Sequence, residues 1–445
     1  MGLVLEATGA GKDKALKTLE KLAGFTADRY QDVLQDEPFI SSDGDDPPAL
    51  TLKFAGPHDD LQIAVSGKRK VRATAQWNQL GPGYCVYVAD KLREMGDATG
   101  VAWKSVDAEI GVPGWPTYEA ACKAALAWLG ALCGLANDPE VINSDGERSP
   151  LGLSLPFMPL PLINADALTC VGPWSFERMR EIARQPELGK RFFAWWDQGR
   201  GARVLRGLAV TRMWIDVAWI PALSNEEFVH HWETADLLQQ AFDADPAIEY
   251  PWAEWAQILD LLDAMRDRVK ELGDWPTRHA GVVRQRAQGL KPRIGYRRWK
   301  TRCALPAGWS IDVPGSYAKE FEIDEEAQTL NWSAFDDQNT LRVTPHLVPE
   351  GLPQAKRELA EELTRAVNLL EPKGAKPVDW EEHELVGLGA IRPVVEDGRE
   401  YQELTGVSAA DGGAWALFSF SFDDPATRDR AIETWKTLRY APPED

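Results

Sequence analysis

Apolar residues recur at three- and four-residue steps through two stretches of the chain. One holds Phe228, His231, Trp232, Ala235, Leu238 and Phe242, the other Trp252, Trp255, Leu259, Leu262, Met265, Val269 and Leu272. That spacing puts each set on one stripe of a helix and predicts two buried helical faces. Residues 204–218 are apolar on nearly every face, which predicts a central helix surrounded by the others. Pro186, Pro246 and Pro251 sit near predicted helix starts, where a missing N–H does no harm. Residues 118–272 therefore read as an all-helical, Trp-rich unit.

On both sides of that unit the period changes. At the N-terminus a short apolar strand is followed by Leu16, Leu19 and Leu22 at helical spacing, with Gly24 placed to end the helix. Residues 50–54, 61–65 and 71–75 read as strands separated by Gly-Pro and Gly-Lys turns. In the last third, residues 309–313, 328–335, 341–348, 385–395, 400–407 and 414–422 read as strands, with Asp397-Gly398 as a hairpin turn. Two helices, over 353–370 and 425–438, complete that part, the second capped by Asp423 or Asp424. The whole predicts an α+β multidomain chain: an α/β module over 1–107, a helical domain over 108–290 and an α+β sandwich over 291–445.

Composition sharpens this picture. The 445 residues, 44% hydrophobic with 19 Trp, suffice for several cores. The net charge of −20 argues against generic binding to nucleic acid or to an anionic membrane and favours basic protein partners. Against that background residues 275–311 hold nine Lys or Arg and no Asp or Glu. This basic run reads as an internal connector whose arginines dock on acidic neighbours. The alternative is an anion or partner site built on Arg293, Arg297 and Arg298, because the guanidinium fork matches phosphate and carboxylate.

Candidate chemistry is sparse. The cysteines at 85, 122, 133, 170 and 303 are odd in number and never form C-x-x-C, so they read as reduced core thiols with no zinc site. Gly9-Ala10-Gly11-Lys12 imitates a phosphate loop but puts Glu6 at the leading glycine and Asp13 at the metal-binding hydroxyl, which predicts no nucleotide binding. His230 and His231 lack a second ligand-bearing element, and Trp195, Trp196, Trp214, Trp219, Trp232 and Trp252 read as core before they read as a ligand cage. No catalytic residue, metal or cofactor is predicted. Met-Gly-Leu-Val-Leu-Glu is no leader, and no run of 18 apolar residues occurs, so a cytoplasmic location is expected.

Two resemblances add to this. Leu5, Gly9, Lys12, Lys17, Gly24, Asp32 and Pro38, with Leu92, Gly96 and Trp103 later, resemble the C-terminal domain of the ribosomal stalk protein interrupted by inserted strands. For the C-terminal third, Leu305-Pro306-x-Gly308-Trp309-x-x-Asp312-x-Pro314, the hairpins and the closing helix with Trp435 and Leu438 resemble the PsbP-like fold, which includes DcrB-type domains. The second resemblance implies a binding scaffold. The chain as a whole looks similar to composite bacterial immunity proteins, and the expected function is occlusion of a secreted toxin domain, a device of interbacterial competition through systems such as type VI secretion. The expected contacts to that basic toxin are Asp43, Asp45 and Asp46, Asp336 and Asp337, and Glu381, Glu382 and Glu384 on loops and strand ends. An effector chaperone or adaptor is the alternative, and an enzyme with its pocket in the Trp-rich middle is a third.

Overall fold

The computed structural model describes residues 3–31, 33–34, 37–41, 47–54, 60–111, 113–137, 151–152, 167–222, 225–266, 275–315, 321–324, 329–333, 340–346, 355–366, 374–396, 399–422 and 427–441. The chain is α+β, with three regions of distinct secondary structure. The N-terminal region holds strands β1 (Val4–Ala10), β2 (Phe39–Ser41), β3 (Ala49–Leu52), β4 (Leu61–Gly67), β5 (Lys70–Gln76) and β6 (Ala102–Asp107). They form one antiparallel sheet in the order β2-β3-β4-β5-β1-β6.

Helices α1 (Ala15–Arg29) and α2 (Pro82–Thr99) complete this region. The buried residues of α1 are Ala15, Thr18, Leu19, Leu22 and Thr26, a stripe at helical spacing. Leu16, read from the sequence as part of that stripe, is 48% exposed, because it sits about 100° round the axis from Ala15. Gly24 does not end the helix either. A side chain there would meet no atom within 4 Å, and α1 runs on to Arg29, its last turn carrying the Thr26 hydroxyl donating to the Leu22 carbonyl at 2.9 Å.

The middle region is helical: α3 (Tyr118–Gly134), α4 (Phe176–Arg184), a long 3-10 turn at Pro186–Phe192, α5 (Ala202–Ile215), α6 (Asn225–Ala244), α7 (Trp252–Met265) and α8 (Ala280–Ala287). It also carries a small sheet of β7 (Leu151–Gly152), β8 (Ala167–Thr169) and β9 (Gly172–Trp174), which supplies a few strand residues among the helices. Helix α5 buries Val204, Leu205, Leu208, Ala209 and Arg212 through Ile215, leaves Arg203 exposed, and packs chiefly on α6, so it is not enclosed on every side by other helices. The 20 residues Tyr118–Asn137 are long and apolar enough to cross a membrane by composition, with mean hydropathy 1.3. In this fold Ala121, Ala125, Leu129 and Cys133 of that helix are buried.

One hydrophobic core runs from Leu3 through Tyr296 and takes in both the first sheet and the helices. In packing terms the N-terminal and middle regions are therefore continuous across residue 107. The break in the core falls between Trp299, which packs on the first core, and Cys303, which packs on the next.

The C-terminal region has a three-stranded sheet of β10 (Lys300–Ala304), β11 (Trp309–Pro314) and β19 (Arg439–Tyr440). Its large sheet contains β12 (Phe321–Asp324), β13 (Thr329–Ser333), β14 (Thr340–His346), β15 (Lys376–Glu382), β16 (Leu385–Glu396), β17 (Arg399–Ala410) and β18 (Trp415–Phe422), ordered β12-β13-β14-β18-β17-β16-β15 and antiparallel throughout. Alternation along the strands covers both faces. Leu359 and Ala360 of α9 (Lys356–Ala366) pack on Val386 and Ala409, whereas Trp435 of α10 (Arg428–Trp435) shares the opposite core with Leu404, Phe418 and Phe420. Glycine makes room for the tryptophans: a Cβ at Gly406 would lie 2.1 Å from the Trp435 ring, and one at Gly387 would lie 2.1 Å from the Trp380 ring. The Trp435 indole N–H donates to Ser408 Oγ at 2.8 Å, so burying its one polar atom costs little.

Candidate functional site

Part of the basic segment is paired within the molecule. Arg278 pairs with Asp243 of α6 at 2.6 Å, Arg284 pairs with Asp260 and Asp263 of α7, and Arg302 pairs with Asp312 of β11 at 3.0 Å. The backbone N–H groups of Arg293 and Ile294 donate to buried Glu254 of α7 at 2.6 and 3.0 Å. Arg297 is buried: its Nε donates to the Ile215 carbonyl at 2.6 Å and its Nη1 to the Gly315 carbonyl at 3.2 Å. One guanidinium thus ties the end of α5 to the start of the C-terminal region.

Arg298 lies 3.5 Å from the centroid of the Trp219 ring, and burial pushes its guanidinium down to about 10. The chain reaches this position through Gly295, at φ 122°, where a Cβ would stand 1.9 Å from Trp219 Nε1. Of the three arginines considered as an anion site, Arg297 and Arg298 are thus engaged in the interior and Arg293 alone is exposed.

The carboxylates at the end of β15 are engaged as well. His383 and Glu384, at φ 53° and 65°, form the two-residue turn of the β15–β16 hairpin, for which such left-handed pairs are favoured. Glu381 pairs with Lys356 at 3.1 Å and Arg357 at 3.6 Å, and the Lys356 ammonium holds its carboxyl below the usual range. Glu382 pairs with Lys436 at 3.0 Å. Of this triplet only Glu384 is exposed without an ion pair among the described residues. Asp43, Asp45, Asp46, Asp336 and Asp337 lie outside the described residues.

A cleft of about 1160 Å³ opens in the helical region. It forms because the segment between the 3-10 turn and α5 is clamped by glycines. A Cβ at Gly83 would lie 2.1 Å from the Asp197 carbonyl, and one at Gly207 would lie 2.3 Å from the Ala194 carbonyl, so α2 and α5 both approach its backbone closely. The Gly83 N–H donates to the Trp195 carbonyl at 3.1 Å, and the Trp195 N–H donates to Leu80 at 2.7 Å. Fixed in this way, residues 192–196 hold a run of contacting rings in which Phe192, Phe193 and Trp195 are buried and Trp196 is half-buried. Ring centroids step from Trp174 to Phe192 (5.5 Å), to Phe193 (5.2 Å) and to Trp196 (5.6 Å).

Five cations line the same cleft: Arg178, Lys190, Arg191, Arg203 and Arg206. Arg178 and Lys190 are paired with Glu181 and Glu187. Arg206 donates to the Glu249 carbonyl at 3.0 Å, and burial holds its guanidinium below the ordinary range. Glu249 opposes that shift, while the neighbouring charges of Arg191 and Arg203 add to it. Sequence reasoning weighed Trp195, Trp196 and Trp214 for a ligand cage but passed over these arginines. Trp195 is fully buried; Trp196 and Trp214 line the cleft. Trp255 is buried, and Trp232 and Trp252 are half-buried against the same core.

Elsewhere the described residues offer little reactive chemistry. Burial pushes the Cys85 and Cys133 thiols up to about 12, away from the thiolate a nucleophile requires. His231 is buried and burial pushes it down to about 4, which keeps it neutral. No group of three His, Cys, Asp or Glu side chains able to hold a metal occurs among the described residues. Gly9 is a strand residue covered by the Trp103 ring, and the Gly11 N–H is spent on the Arg69 carbonyl at 3.1 Å.

No family model matches the chain, and no curated protein does. Among solved structures, a protein from Bacteroides thetaiotaomicron is 14% identical with a TM-score of 0.25, the match covering 31% of this chain and 47% of that one. The cyanobacterial PsbP of Synechocystis is 10% identical with a TM-score of 0.19, covering 32% of this chain and 92% of that one. The chain thus spans about half of the first of these.

Proposed function

We propose that the chain is a cytoplasmic immunity protein that binds a secreted bacterial toxin domain and covers its active site. The observation that supports this reading is the partial neutralisation of the 275–311 segment by acidic residues of the same chain. Arg278, Arg284 and Arg302 meet Asp243, Asp260, Asp263 and Asp312, and Arg297 meets main-chain carbonyls, while Arg286, Lys291, Arg293 and Lys300 stay exposed; set against the net charge of −20, the basic run is a minor part of what a partner meets. An acidic exterior draws in a basic partner and accelerates encounter.

Because Glu381 and Glu382 serve Lys356, Arg357 and Lys436, the toxin contact falls to Asp43, Asp45 and Asp46, to Asp336 and Asp337, and to Glu384. The test is co-expression with a basic toxin domain encoded by a neighbouring gene. Protection of the cells and a complex of nanomolar Kd, about 12 kcal/mol, support the reading. A complex formed only with a hydrophobic segment outside the toxin domain speaks for a chaperone instead, and loss of toxicity without any complex counts against both.

A further inference from the structure

The cleft in the helical region has no part in the proposed toxin contact. Its electrostatics are opposite to those of the chain as a whole. Arg178 and Lys190 at its edge have acidic neighbours one helical turn away, but Arg191 and Arg203 make no ion pair or hydrogen bond among the described residues. Arg206, half-buried on the same lining, feels the charges of both and spends only one donor, on the Glu249 carbonyl. An anion relieves repulsion of this kind. Guanidinium groups are suited to the task because their planar donor forks match phosphate oxygens.

The same lining carries the half-buried rings of Trp174 and Trp196, with Phe192 and Phe193 buried between them in the ring series, and the accessible indole of Trp196 is a surface on which a flat ring can stack. A volume of about 1160 Å³ accommodates a compact organic molecule.

We propose that this cleft binds a small organic phosphate bearing a planar ring, with the phosphate on Arg191, Arg203 and Arg206 and the ring against Trp196. An anionic polymer fits less well. The net charge of −20 repels it at a distance, and Asp197 and Glu249 on the cleft lining oppose a long anionic chain.

The experiment is titration calorimetry, with tryptophan fluorescence alongside, using AMP, GMP, CMP, UMP and FMN as probes, and adenosine and inorganic phosphate as their separate halves. At least one ring-bearing phosphate should bind saturably at millimolar concentration or below, and adenosine should bind at least about tenfold more weakly than AMP if AMP is the ligand. Arg191→Ala and Arg203→Ala alter exposed side chains and should each weaken binding about tenfold or more without shifting the melting temperature. Trp196→Leu should weaken the ring-bearing probe and leave inorganic phosphate unchanged. The proposal is overturned if none of the five probes binds. It is equally overturned if binding survives in the Arg191→Ala/Arg203→Ala double variant, or if only a single-stranded oligonucleotide binds. Toxin binding should be unaffected by these variants, which separates failure here from failure of the immunity reading.

Discussion

Gly207 of α5 approaches the carbonyl of Ala194 so closely that a Cβ at position 207 would stand 2.3 Å from that oxygen. No real Cβ tolerates such a contact, and the obstacle is backbone, which cannot swing aside. Gly207→Ala must therefore push α5 away from residues 193–195, and overpacking of this kind costs about 1–3 kcal/mol. Urea unfolding should show a lower midpoint with an unchanged slope. A wild-type midpoint would mean that helix and segment are not in contact.

Arg297 supplies a second prediction. Its guanidinium bridges the Ile215 and Gly315 carbonyls, which belong to the two sides of the break between the cores. Lysine retains the charge but cannot present the fork, so Arg297→Lys should lose about 1.5–3 kcal/mol, the value of a charged hydrogen bond. The loss should show in thermal unfolding as an earlier, less cooperative transition. A variant as stable and as cooperative as the wild type would remove Arg297 from the tie.

The third prediction concerns acid. His231 is buried and burial lowers it from 6.5 to about 4, so the folded chain binds its proton only at low pH, whereas the unfolded chain binds it near 6.5. Its contribution is therefore fully present above about pH 6.5 and is lost as pH falls from there towards 4. The loss has a limiting slope of about 1.4 kcal/mol per pH unit. Comparing His231→Gln with wild type between pH 7 and pH 5 isolates this group from the carboxylates, which titrate lower. The variant should show the flatter profile, and parallel profiles would contradict the assignment.

A fourth prediction separates the acidic clusters. Glu382 and Lys436 form a surface pair 3.0 Å apart, so Glu382→Lys should change stability by no more than about 1 kcal/mol. It should also leave toxin association unchanged. A large fall in the association rate would restore Glu382 to the contact surface.

Helical periodicity made the stripes of α6 and α7 legible, because every third or fourth position is apolar. Most of the C-terminal strands were legible from their alternation. Strand β10 was not, since Lys300 and Arg302 disguise it as part of the basic run; it is a strand because it pairs with β11 over five residues. Leu16 illustrates a different failure: three leucines fitted a helix, but the tighter stripe of Ala15, Leu19, Leu22 and Thr26 set the buried face. The cleft was hidden for a third reason. Arg191 lies on the 3-10 turn and Arg203 and Arg206 on α5, brought together by two glycine contacts that no periodicity encodes. One signal was present: neither Arg203 nor Arg206 has an Asp or Glu within four residues along the chain, so no local ion pair awaits them.

In the proposed function an acidic exterior captures a basic toxin domain. The most direct measurement is the association rate constant of the purified pair against ionic strength, for the wild type and for charge reversals at Asp43, Asp45 and Asp46 and at Asp336 and Asp337. The account predicts a rate that falls steeply as salt rises from about 0.01 to 0.15 M, where the screening length shrinks from about 30 to 8 Å. It also predicts that at least one reversed cluster lowers both the rate and its salt dependence. A rate indifferent to salt and to both reversals would contradict it.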